Sequence, residues 1–241
     1  MLSRILLGFT LAVTGLFAAT ALQAQQSATP QYVEGTHYVR LPDEMPTRDK
    51  NKVEVVEAFW YGCSHCYNFE PMVLAWEKNQ PEYVDFWQTP AMWNANMRLH
   101  AQMFYAAKAL TANDEAAYAS LHAKIFEAMN VRHQRLRDEA SIKKLFVKNG
   151  IDGDAFDKAF ASFGVKNQVL QADARARGYR ISGTPEVVVN GKFRVSARTA
   201  GSQANMLKVI DFLVAKEWAA SAANKVDASV QLKADAKLGI N

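Results

Sequence analysis

The chain has 241 residues, with 28 Lys and Arg against 24 Asp and Glu, a formal net charge of +4, and 49% hydrophobic residues. Positive and negative side chains are interleaved without a long basic run, so nothing in the charge calls for a nucleic-acid partner. The length admits one large domain or two small ones with a real core.

Residues 1–24 have the layout of a secretory signal peptide: one early cation (Arg4), an apolar stretch over 5–21, and small residues before the polar pair Gln25-Gln26. Cleavage after Ala21 satisfies the small-x-small rule through Ala19. Cleavage after Ala24 lies nearer the polar boundary but puts Leu22 at the third position back. The apolar run is short for a span of about 20 residues. No later stretch is long and apolar enough to cross a membrane. The expectation is export with cleavage, leaving a soluble protein of about 215–220 residues that carries +3 once Arg4 is lost (+4 − 1).

After a small, polar stretch over 25–30, residues 32–40 suggest a short edge strand, stopped by Leu41-Pro42. VEVVEAFW (53–60) is β-branched and aromatic and predicts a buried strand. Residues 67–80 carry helical spacing with Pro71 inside, where a kink or break is expected. YVDFWQT (83–89) predicts a second buried strand. Residues 97–178 then show helical periodicity punctuated by stop signals, with no strand among them. Strand signals return in TPEVVVNGKFRV (184–195), where Asn190-Gly191 marks a hairpin. An amphipathic helix is expected over 202–218, and the Ala- and Lys-rich residues 219–241 receive no element and are expected to be a flexible tail.

Strands early and late with a helical block between them imply one α/β sheet domain interrupted by an all-helical subdomain. Helical crossovers favour parallel pairing of the early strands, and the Asn-Gly turn an antiparallel pair at one edge. The expected boundaries are 25–96 for the first part of the sheet domain, 97–165 for the helical insertion and 166–218 for the second part.

Both cysteines, Cys63 and Cys66, fall in WYGCSHCYNFEP (60–71). Paired as a staple they would close a loop of about four residues, worth roughly 2 kcal/mol against about 3 for a 15-residue loop. A structural zinc site would need two further ligands at short spacing, and His37, His100, His122 and His133 are scattered along the chain. Redox chemistry fits the position better. Cys63 follows a buried strand and opens a helix, where unpaired N–H groups and the positive end of the helix dipole favour a thiolate. Cys66, one turn on, lies on the same side and can attack a mixed disulfide made by Cys63. His65 can donate a hydrogen bond to that sulfur or carry a positive charge beside it.

The combination of FWYGCSHCYNFEP (59–71) with SGTPEVVVNGKF (182–193) resembles the DsbA family of exported thiol:disulfide oxidoreductases over about residues 32–218. The resemblance implies a thioredoxin fold interrupted by a helical domain. It implies that Cys63 is the exposed attacking cysteine and Cys66 the buried resolving one, forming a redox-active disulfide with no other cofactor and no metal. Pro185 takes the place of the family's cis-proline, and the backbone of Thr184 that of its contact with the substrate peptide. Glu57 matches an acidic residue beneath the family's active site; burial would raise its pKa and let it accept or relay the proton moved when the disulfide opens. Where the family often has Pro-His between the cysteines this chain has Ser64-His65, and Ser64 adds a donor while removing proline's rigid φ. The implied partners are reduced secreted polypeptides and a membrane quinone-linked oxidase of the DsbB type, with the protein a periplasmic monomer. An isomerase or reductase of the same fold stands as the alternative, although exported isomerases usually carry a dimerisation domain ahead of the catalytic one; a peptide-binding module with a permanently closed disulfide is a further one. Trp60, Tyr61 and Tyr67 are candidates for an apolar substrate groove or for the core.

Overall fold

The structure, a computed structural model, describes residues 31–238, with side chains through residue 223. The signal-peptide reading of 1–24 lies outside the described residues. From Tyr32 on, the chain forms one compact unit.

Five strands make one sheet in the order β1-β5-β4-β2-β3. β2 (Val53–Phe59) and β3 (Val84–Pro90) run parallel, joined by the crossover helix α1 (Ser64–Glu77). β4 (Glu186–Val189) pairs antiparallel with β2 and with β5 (Phe193–Ser196), and β5 with β1 (Val39–Arg40). The early strands are thus parallel and the Asn190-Gly191 pair is antiparallel, as expected. Asn190 and Gly191 have φ of 53° and 63°, both left-handed as a two-residue I′ turn requires.

All seven residues of β2 are buried, so both faces of the sheet are covered. Val53, Val55, Val187 and Val189 face Phe69, Val73 and Trp76 of α1 and Met206, Ile210 and Leu213 of α8 (Gln203–Leu238). Val56, Ala58 and Val188 face the other way, against Tyr179 and Ile181. The helical block holds α2 (Ala95–Leu110), α3 (Glu115–Asn130), α4 (Glu139–Lys148) and α5 (Gly153–Ala161), and α6 (Phe163–Gly178) returns the chain along α2 and β3. Side-chain oxygens of Asn94, Asp114, Asp138, Asp152 and Ser162 cap these five helices in turn. Their core reaches the end of β2 through Phe59, Tyr61 and Cys66. The cysteine pair therefore sits where the sheet and the helical block meet.

Three details depart from expectation. The leading strand shrinks to two residues because 33–38 form a turn, with Gly35 at φ 81° and its N–H donating to Tyr38 O at 2.8 Å. Helix α1 runs unbroken through Pro71, since burial of Phe69, Val73 and Trp76 against the sheet outweighs one missing backbone hydrogen bond. The backbone of 219–238 continues α8, in a run of good helix formers with no proline and no glycine before Gly239. A short α7 (Ala197–Ala200), closed by a Ser196–Thr199 capping box, turns the chain between β5 and α8.

Candidate active site

Strand β2 ends at Phe59, and beyond a short turn Cys63 stands as the N-cap of α1, its N–H donating to Trp60 O at 3.0 Å. No side chain caps this helix and no acidic residue occupies its first turn. The first N–H groups and the positive end of the dipole are thereby left to the Cys63 sulfur. The Cys63 pKa falls from 9.0 to about 5. The Cys66 thiol, hydrogen-bonded to the Cys63 sulfur, is the main cause; partial burial opposes it, and the Thr184 side chain and the N–H groups of Cys66 and His65 assist. As a thiol, Cys63 Sγ donates to Thr184 O at 3.3 Å; once ionised it has no proton to donate, and the donors around it hold the charge.

Cys66 is fully buried. Burial first, then the bond to Cys63 and the charges of Glu57 and Cys63, push its pKa well above the usual thiol value. The two sulfurs, three residues apart, thus stand in opposite environments. The Thr184–Pro185 bond is cis, and it brings Thr184 O onto Cys63 just before β4 pairs with the end of β2. His65 and Ser64 lie toward solvent. His65 lines a cleft of about 440 Å³ with Thr184, Pro185, Arg198 and Gln203, and its carbonyl accepts from Gln203 Nε2 at 2.6 Å.

Beneath the sulfurs lies a buried polar chain of which the sequence reveals only the first member. Glu57 has no exposed surface. Burial, then the Glu70 charge, push its carboxyl up to about 8 against the Gln88 hydrogen bond, and Cys63 adds a smaller push. Gln88 Nε2 donates to Glu57 Oε2 at 2.9 Å and to Glu70 Oε2 at 2.8 Å, clamping the two carboxyls together. Glu70 Oε1 lies 3.1 Å from His122 Nε2, and His122 Nδ1 meets the Tyr61 hydroxyl at 2.6 Å. Glu70 was missed in the sequence, although its place four residues after Cys66 on one helix, on the same buried face, was the available signal. Gln88 was missed as well, its signal being a polar residue inside a strand read as buried. Nothing in the sequence places His122 here. Tyr61, a groove candidate, proves to be core at 1% exposure, whereas Trp60 and Tyr67 are half-buried against the helical core.

A cysteine at an uncapped helix N-terminus, a buried partner one turn on and a cis-proline loop across from them, on a mixed sheet interrupted by helices, make this a thioredoxin-like protein with an inserted helical domain. A family model described as the DSBA-like thioredoxin domain matches residues 82–208. The thiol:disulfide interchange protein DsbA of Azotobacter vinelandii is 39% identical over 217 residues, covering 90% of this chain and 99% of that protein. The crystal structure of Pseudomonas aeruginosa DsbA superposes with a TM-score of 0.74 at 34% identity, over 79% of this chain and 97% of that one. Reduced DsbA1 from Neisseria meningitidis gives 0.70 at 25% identity, over 80% and 98%. The chain belongs to the DsbA family.

Proposed function

We propose that this chain is a thiol:disulfide oxidoreductase of the dithiol-oxidase type, exported to the periplasm, which donates a Cys63–Cys66 disulfide to newly exported reduced proteins. The observation that carries the reading is the contrast between the two sulfurs: Cys63, half-exposed at the N-terminus of α1 with its pKa at about 5, above a fully buried Cys66.

A substrate thiolate attacks Cys63 Sγ of the disulfide. The S–S bond breaks, its electron pair goes to Cys66, and a substrate–Cys63 disulfide forms. The buried Cys66 sulfur takes up a proton, which Glu57 at its folded pKa of about 8 can supply. A second substrate thiolate then attacks its own sulfur in the mixed disulfide and expels Cys63, a good leaving group because its thiolate is held by the helix end. The substrate has lost two electrons and the cysteine pair has gained them. Thr184 and Pro185 would hold the substrate backbone beside Cys63, while His65 and Ser64 flank the sulfur on the solvent side. The redox group is the chain's own disulfide, and reoxidation falls to a membrane quinone-linked partner of the DsbB type.

The test is a trap. In Cys66→Ala the mixed disulfide on Cys63 can no longer be resolved from within, because the sulfur one turn away is gone. Non-reducing gels of periplasmic extract should show Cys63-linked adducts that vanish with dithiothreitol, and Cys63→Ala should show almost none. Equal trapping by both variants would overturn the assignment of roles.

A further inference from the structure

The segment VRHQRLR (131–137) between α3 and α4 carries Arg132, His133, Arg135 and Arg137 and no acid. Arg132 is engaged by Glu127, and the neighbouring Asp138 is engaged in capping α4, whose first residue Glu139 is the nearest further acid. Arg135 and Arg137 take part in no ion pair among the described residues. The segment is tightly held. Leu136 between these arginines is buried at 4% exposure with φ at 43°, and His133 has φ of 52°; a leucine keeps that backbone only where its surroundings enforce it. With Leu136 turned inward, both flanking arginines are exposed.

One buried side chain ties this basic segment to the redox centre. His100, 1% exposed, accepts the Trp60 indole N–H on Nδ1 at 2.9 Å and so donates from Nε2 to Leu136 O at 3.0 Å. Trp60 in turn lies against Gly62, where a Cβ would fall 2.4 Å from the ring. Between these walls opens a cleft of about 450 Å³ lined by Trp60, Gly62, Met129, His133, Arg135 and Arg137. Gly62, in the wall of the cleft, is the residue before Cys63 in the chain, and the helical block supplies the other wall. The cis-proline cleft of about 440 Å³ that Thr184 and His65 line is a separate space, sharing none of these residues.

We propose that this second cleft is a substrate subsite that selects polypeptides carrying Asp or Glu close to the cysteine being oxidised. The ligand chemistry follows from the walls: two exposed guanidinium groups, on a held backbone and with no ion pair among the described residues, match carboxylates, and Trp60 with Met129 supplies apolar surface for the stem of the bound chain. The site rests on the reading of the protein as an oxidant of polypeptides and adds to it the substrate class. Charge matching of this kind speeds encounter and is screened by salt.

The oxidised protein is mixed with reduced two-cysteine peptides that differ only in whether Glu, Ser or Lys flanks the first cysteine, and the second-order rate of disulfide transfer is followed at low and at high ionic strength. Comparing wild type with Arg135→Glu/Arg137→Glu on the same peptide cancels each peptide's intrinsic thiol reactivity. Two exposed ion pairs of ordinary surface strength give roughly a fivefold effect. The double variant should therefore oxidise the Glu peptide about fivefold more slowly and the Lys peptide faster, with both differences collapsing in high salt. Oxidation of dithiothreitol, which reaches the disulfide without the cleft, should be the same in the two proteins and reports that the variant is folded. For wild type alone, salt should slow the Glu peptide more than the Lys peptide. Equal salt dependence of the two peptides, or a double variant with unchanged peptide rates, overturns the subsite. If neither dithiothreitol nor any peptide is oxidised by wild type, it is the oxidant reading that fails, and the subsite falls with it.

Discussion

At Glu57 a carboxyl with no exposed surface has one oxygen on Gln88 and the other, Oε1, without a hydrogen-bond donor. Its pKa of about 8 in the fold stands against an ordinary 4.5. Between those values the folded protein keeps a proton that the unfolded chain has released, so stability present below pH 4.5 is lost as the pH rises through about 8. Glu57→Gln keeps the shape and the acceptor for Gln88 but cannot ionise. In the oxidised protein, where Cys63 has no thiol to titrate, the urea midpoint of wild type should fall between pH 5 and 8 relative to that of the variant. The divergence should be on the order of 3 kcal/mol, given about 1.36 kcal/mol for each pH unit between the folded and unfolded pKa values of Glu57 and the flattening of the curve near each of them. Parallel curves for the two proteins would mean that Glu57 is ionised at neutral pH and cannot supply the proton that Cys66 takes up.

Elements place these residues, and their legibility differed with the range of the interaction. The Cys63 end of helix α1 could be read, because a buried strand running into a Cys pair is a local pattern, whereas its passage through Pro71 could not. The Asn190-Gly191 hairpin was equally local. The chain Glu57–Gln88–Glu70–His122 joins β2, β3, α1 and α3 across up to 65 residues of sequence, and no periodicity encodes which polar residues of separate elements will meet. The link from Trp60 through His100 to the carbonyl of Leu136 was hidden for the same reason. At the hairpin, a Cβ on Gly191 would fall 2.1 Å from Met45 O at φ 63°, beside the hydrogen bond from Met45 N to Gly191 O at 2.9 Å. Gly201, closing α7, has φ of 89° with nothing within 4 Å of its Cβ position. Gly201→Ala should therefore cost only the backbone strain, about 1 kcal/mol, and Gly191→Ala about 2–4 kcal/mol because the 44–46 segment must also move. Urea unfolding of the two variants separates them; equal losses would show that close approach of Met45 plays no part.

For the molecule as a whole, the redox state of one short loop should set the folding stability in a pH-dependent way, reversing the order given by an ordinary disulfide at the alkaline end. Closing about four residues restrains the unfolded chain by roughly 2 kcal/mol. Against this stands the Cys63 thiolate, whose folded pKa of about 5 lies below the 9.0 of an ordinary thiol. Its stabilisation of the reduced fold is absent below pH 5, grows as the pH rises, and is complete near 9, where the unfolded thiol ionises too. The whole difference between those pKa values corresponds to about 5 kcal/mol, of which roughly half survives solvent screening at a half-exposed sulfur. Cys66 bounds the window from above: its raised pKa keeps it protonated in the fold, so above pH 9 the unfolded reduced chain gains by ionising it. Urea midpoints measured on the dithiol and disulfide forms at pH 5.5, 7 and 8.5 should show the reduced form gaining steadily on the oxidised one and exceeding it by about pH 8. A pH-independent difference in favour of the oxidised form would mean that Cys63 is an ordinary thiol in a structural staple. A crossing within that window means that the fold-held Cys63 thiolate shifts the pair toward its reduced state as the pH rises and outweighs the loop closure above the crossing. That makes its disulfide a better donor than a staple of the same loop length.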